Sequence, residues 1–113
     1  MKIVSLNFEI LRATPTVAEF VVRVNLDGPA AGCVVEGVAM GPKCPGISTV
    51  ELSYPMTVAE VSDTAVSLRC VILEPNLWTA EAPFRYGWSV TAEKEDEPMD
   101  QRAGVVLLKD PGG

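Results

Sequence analysis

An all-β, immunoglobulin-like antiparallel β-sandwich of about seven strands is the fold this sequence predicts. Three observations point to it. Apolar and polar residues alternate along five segments, the period of a strand with one buried face. Turns rich in proline and glycine separate most of the segments. No stretch carries a helical period long enough to compete.

In the first segment Val4, Leu6, Phe8 and Ile10 alternate with Ser5, Asn7 and Glu9, up to the turn Thr14-Pro15-Thr16. Next, Phe20, Val22, Val24 and Leu26 alternate with Glu19, Arg23 and Asn25, and Asp27-Gly28-Pro29 closes the run. Cys33 to Met40 is strand-like but holds Glu36 in an apolar stretch, and it ends at Gly41-Pro42 and Pro45-Gly46. Val50 and Leu52 alternate with Thr49, Glu51 and Ser53; the segment from Met56 to Asp63 is the one place where a short helical turn fits. Val66, Leu68, Cys70 and Ile72 alternate with Ser67 and Arg69 as far as Glu74-Pro75-Asn76. Phe84, Tyr86, Trp88 and Val90 alternate with Arg85, Gly87, Ser89 and Thr91. The acidic stretch from Glu93 to Glu97 reads as a solvated hairpin tip, and Gly104 to Leu108 as a last, continuously apolar strand. The prolines fall mostly in the connections, where a missing N–H costs nothing. The residues expected to face inward are Val4, Phe8, Phe20, Val22, Val24, Leu68, Cys70, Tyr86, Trp88 and Val90.

Composition narrows what such a sandwich can do. The 113 residues suit one domain, residues 1–110, followed by a short tail at 111–113. Nine Lys plus Arg against 15 Asp plus Glu give a net charge of −6, which offers no footprint for nucleic acid or an anionic membrane. No apolar run approaches the roughly 18 residues of a membrane span. With no histidine, the commonest general base, nucleophile partner and metal ligand is missing. No cofactor is implied. Glu36 is the only carboxylate inside an apolar strand run. Nothing in the spacing of Glu9, Glu19, Glu36, Glu51, Glu60 or Glu81 singles out the facing pair a glycosidase needs.

The three cysteines, Cys33, Cys44 and Cys70, are odd in number and irregularly spaced, which is not a disulfide framework, and without CxxC spacing or histidine they are not a zinc site. Cys33 and Cys70 lie in apolar runs as small hydrophobes, with a bridge between them left open. Cys44, in a Pro/Gly turn beside Lys43, is expected to be the exposed and reactive thiol. Met1-Lys2-Ile3-Val4-Ser5 reads as a first strand and not a signal peptide, which makes the cytoplasm the default expectation.

One segment resembles a known pattern. The stretch Glu74 to Val90 is similar to the P-x-L-W-[ST]-P-E-x-P-x-L-Y-x-L-x-V signature of glycoside hydrolase family 2, the β-galactosidases, β-glucuronidases and β-mannosidases. Pro75, Leu77, Trp78, Glu81, Pro83, Tyr86 and Val90 match in register, and the resemblance extends over residues 64–106. In that family the signature lies in an immunoglobulin-like sandwich between a sugar-binding jelly roll and the catalytic barrel. Arg85 stands where the family has Leu, Ala80 where it has Pro, and Gly104-Val105-Val106 where it ends in Gly-Phe-Arg. The resemblance assigns the two catalytic glutamates to the barrel, so no position here inherits them.

The residues of the motif also have fold-holding jobs. Pro75 and Pro83 bound a connection that crosses between the sheets, Trp78 folds back as a plug, and Glu81 accepts backbone N–H bonds in the loop. The expectation is therefore a non-catalytic accessory or structural sandwich, not an enzyme. It would pack against a neighbouring domain or protein, or against itself as a homodimer. Val105-Val106-Leu107-Leu108 is a run of four apolar residues on a strand that can bury only one face. It supplies the candidate interaction surface, Val106 and Leu108. The alternative is a carbohydrate-binding module in which Trp78, Tyr86 or Trp88 offers a flat sugar-stacking ring.

Overall fold

The computed structural model describes residues 1–109; the expected tail, and the domain boundary at 110, lie outside them. Eight strands fill the described chain: β1 (Ile3–Ala13), β2 (Val17–Leu26), β3 (Cys33–Lys43), β4 (Leu52–Pro55), β5 (Thr57–Val61), β6 (Ala65–Leu73), β7 (Arg85–Lys94) and β8 (Asp100–Val106). They form two antiparallel four-stranded sheets, ordered β1-β2-β6-β5 and β4-β3-β7-β8. Across the core β1 faces β8, β3 faces β5 and β6, and β4 faces β6. Such a layered pair is the sandwich that alternating strands require, since each sheet hides its apolar face only against the other.

The interior follows the period of two. Phe20, Val22 and Val24 of β2 are fully buried against Leu68, Cys70 and Ile72 of β6. Val35 and Ala39 of β3 and Tyr86, Val90 and Ala92 of β7 close the core from the second sheet. Gly37 leaves room for side chains of the facing sheet: a Cβ there would lie 2.6 Å from Sδ of Met56 and 2.9 Å from Cδ1 of Leu68.

Four expectations need correction. There is an eighth strand, β5, where a helical turn was expected. It is a sheet edge with all five residues exposed, so its sequence shows no burial period. Val4 is 64% exposed and Ile3 is buried instead, because β1 slips register between Ile3 and Ser5, and a bulge turns side chains to the opposite face. Phe8 does share the inner face with its cross-strand partner Val22, yet β1 is an edge strand and the ring stays 38% exposed. Val50 precedes β4 and is 82% exposed.

The slip in β1 leaves Ile3 with backbone groups that β8 satisfies across the sandwich. The Ile3 N–H donates to Oδ2 of Asp100 (2.8 Å), and Nη2 of Arg102 donates to the Ile3 carbonyl (2.7 Å). The bond from Ile3 holds the Asp100 carboxyl below its ordinary value, helped by the Gln101 N–H and by Arg102. A depressed carboxyl pKa contributes stability that is present above the ordinary carboxyl range and is lost as pH falls through the lowered value. Melting temperature should therefore drop on acidification of the parent. In Asp100→Asn it should start lower at neutral pH and show less of that acid dependence. Identical acid profiles would remove the clamp.

Candidate interaction surfaces

The crossing from β6 to β7 is built residue by residue. Glu74 takes a left-handed conformation (φ 49°), its N–H donating to the Thr16 carbonyl (2.9 Å). Pro75 is buried, and the Asn76 N–H donates to the hydroxyl of Tyr86 (3.0 Å). A tyrosine that ties its hydroxyl to the backbone upstream of its own strand is a recurrent corner of immunoglobulin-like sandwiches. The Trp78 N–H reaches the Leu108 carbonyl (3.1 Å), and Trp78 bridges to Pro83. The role expected of Glu81 falls to Thr79, whose hydroxyl accepts the Ala82 N–H (3.0 Å), while Glu81 is exposed.

Of the three rings expected as sugar platforms, Tyr86 is interior and the two indoles are half-buried against other groups. Tyr86 is 1% exposed and meets Tyr54 edge-on at 6.2 Å, so the core takes the whole ring. Trp88 is half-buried, lying over Gly104 with Phe8 at 4.9 Å. Trp78 is half-buried too, with the ammonium of Lys109 4.1 Å above its ring.

The candidate docking residues Val106 and Leu108 also need correction. They are 8% and 0% exposed, turned into the core, while Val105 and Leu107 point outward at 55% and 37%. Val106 pairs with Tyr86, whose ring is interior, and that pairing fixes its parity. The excess of apolar residues on the last strand is real, but it appears on the other set of alternate residues.

Several exposed apolar side chains lie in two places, while Val4, Leu11, Val58 and Val61 are exposed on the edge strands β1 and β5 of the other sheet. At one end of the sandwich Ile47, Val50, Leu52 and Leu73 line a groove with Phe84 and Tyr54 between the β3–β4 connection and the crossing loop. Val34, Met40 and Val105 lie on the outer face of the β4-β3-β7-β8 sheet. Sequence reasoning missed the groove, although Leu73 breaks the alternation after Ile72 and Val50 stands outside its strand. The outer face of the other sheet is charged and cross-linked: Glu19 binds both Arg69 and Arg12, and Asn25 donates to Ser5 and Asn7. The hydrogen bond from Arg69 pulls the Glu19 carboxyl below its ordinary value.

The cysteines are rearranged relative to expectation. All three are free; Cys44 is buried at 8% exposure, closed in by the bridge it makes with Ile47, and Cys33 is only half-buried. Burial pushes the Cys70 thiol up to about 11, so at ordinary pH it stays a thiol, not the nucleophilic thiolate. A thiol reagent on the native protein should modify Cys33 first and Cys70 last. Labelling followed by peptide mass mapping reads the order, and early modification of Cys70 would contradict the packing of β6.

The fold and its surfaces define an immunoglobulin-like sandwich domain. No protein-family model and no curated protein matches the chain. Among solved structures it is similar to a segment of β-glucuronidase 2 from Bacteroides uniformis, both covalently bound to cyclophellitol-6-carboxylate aziridine and as a calcium-binding mutant. In each case the identity is 19% and the TM-score 0.52, over 91% of this chain and 13% of that one. A likeness at this identity shows the shared fold. It also shows that such a sandwich forms a small part of a much larger enzyme.

Proposed function

We propose that this chain is a non-catalytic accessory β-sandwich that works by packing against another domain or another copy of itself. The observation that carries this is the division of its surface. One outer face is charged and cross-linked, whereas large apolar side chains are exposed together at the end groove, and Val34, Met40 and Val105 are exposed on the opposite sheet. Apolar surface gathered in this way marks a site of association. The likeness to a segment making up 13% of a larger enzyme supports the accessory role.

The test has two arms. Purified chain is assayed on aryl β-glucuronide, β-galactoside and β-mannoside, with no turnover expected; turnover that survives purification overturns the proposal. Val50→Asp and Leu73→Asp are then compared with the parent for binding of an apolar dye. The variants should bind less dye while melting within about two degrees of the parent, since exposed positions contribute little to stability. Unchanged dye binding removes the groove from the docking surface.

A further inference from the structure

We infer that the outer face of the β4-β3-β7-β8 sheet is the contact surface for a second copy of this chain, packed face to face about a two-fold axis lying across the strands. The inference rests on the packing role proposed above and names one partner and one face for it.

The face is built from register. Its rows, read from β3 to β7 to β8, are Met40–Gly87–Val105, Val38–Ser89–Ala103 and Glu36–Thr91–Gln101. These side chains are apolar or small apart from Glu36 and Gln101, and Glu36 lines a depression with Val38, Ser89 and Thr91 where β4 stops at Pro55. A surface of Gly, Ser, Ala and Thr lets a second sheet approach to the roughly 10 Å at which sheets stack.

Charge identifies the partner. The outward row of β7 reads Arg85, Gly87, Ser89, Thr91, Glu93: a cation at one end, an anion at the other, and Ser89 at the centre. Both charged residues are exposed, and neither has an ion-pair partner among the described residues. A two-fold axis through the Val38–Ser89–Ala103 row carries Arg85 onto Glu93 of the second copy, and Glu93 onto its Arg85. Two ion pairs then form at the ends of an uncharged strip, and Met40 meets the row of Glu36. Three strands about 4.8 Å apart and seven residues rising about 3.3 Å each, with the four residues of β4 added, give a face of roughly 400 Å² per copy. About 800 Å² in total lies below the size of stable specific interfaces, so the dimer is weak and reversible.

The experiment is sedimentation equilibrium of the whole chain from about 5 µM to about 500 µM, the range a weak interface spans. The parent should dimerise, less so at high salt. Arg85→Glu and Glu93→Arg should each weaken the dimer by roughly tenfold, because each sets two like-charge pairs in contact. The double variant Arg85→Glu/Glu93→Arg should return to within about threefold of the parent, since it exchanges the two signs and restores both pairs. A monomer throughout the range overturns the inference, as does a double variant no better than the singles. A dimer that ignores both reversals but is lost in Leu73→Asp overturns this face while leaving the packing function standing at the end groove.

Discussion

Tyr86→Ala is expected to cost about 3–5 kcal/mol, the range for emptying a large buried aromatic site. For a domain with about 5–15 kcal/mol in all, that leaves a large fraction unfolded or close to it. Tyr86 links three parts of the sandwich. Its ring meets Tyr54 of β4 edge-on, its hydroxyl accepts the Asn76 N–H in the crossing loop, and a Cβ on Gly41 would come within 2.9 Å of its Cδ1. Burial raises the hydroxyl's pKa, so it remains a neutral phenol through the working pH range. Tyr86→Phe keeps the ring and removes only the acceptor, and should cost roughly 1 kcal/mol. Urea unfolding of the three proteins separates the packing loss from the hydrogen-bond loss. A Tyr86→Ala protein as stable as the parent would mean that the ring is not in the core.

Gly104→Val should destabilise by about 1–3 kcal/mol through overpacking. The Cβ of any side chain at 104 would lie 2.7 Å from Cζ2 and 2.9 Å from Cε2 of Trp88. An indole is rigid, and Phe8 stands at 4.9 Å, so the ring has little room to retreat. The displaced ring should also shift tryptophan emission. Combining the change with Trp88→Leu frees the volume and should recover part of the loss, since contacting residues couple. A neutral Gly104→Val, with emission unchanged, would show that Trp88 is not seated over Gly104.

Much of the fold is legible without coordinates, for a reason visible in β2. Phe20, Val22 and Val24 are buried in strict alternation because β2 is a central strand with one face turned to the core. The same holds for Leu68, Cys70 and Ile72, and for Tyr86 and Val90. β5 is not legible, because an edge strand exposed on both faces imposes no period on its residues. Cys44 misled because proline and glycine mark a turn without saying what packs over it. The aromatic residues of the motif can be assigned to their elements from the sequence, but which parts of the rings are covered depends on distant residues. Lys109 lies over Trp78 from 31 residues away, and Phe8 meets Trp88 from the other sheet.

The fold class, the central strands and most of the core are written in the residue pattern, because the local period of two records which face of a strand meets water. Composition also bounds the chemistry, since the lack of histidine and the net charge of −6 hold for any conformation. Which apolar residues remain outside depends on long-range pairing. Val106 points inward and Val105 outward because β8 is locked to β7 in the register that sets Val106 against Tyr86, and beyond the strand the Trp78 N–H holds the Leu108 carbonyl, with Leu108 buried and Leu107 exposed. A shift of one residue in β8 would have reversed Val105 and Val106. Likewise Arg85 and Glu93 become the two ends of one outward row only because β7 pairs with β8 over Tyr86–Ala92 without a register shift and continues as strand at both ends, so the odd-numbered residues from 85 to 93 share a face.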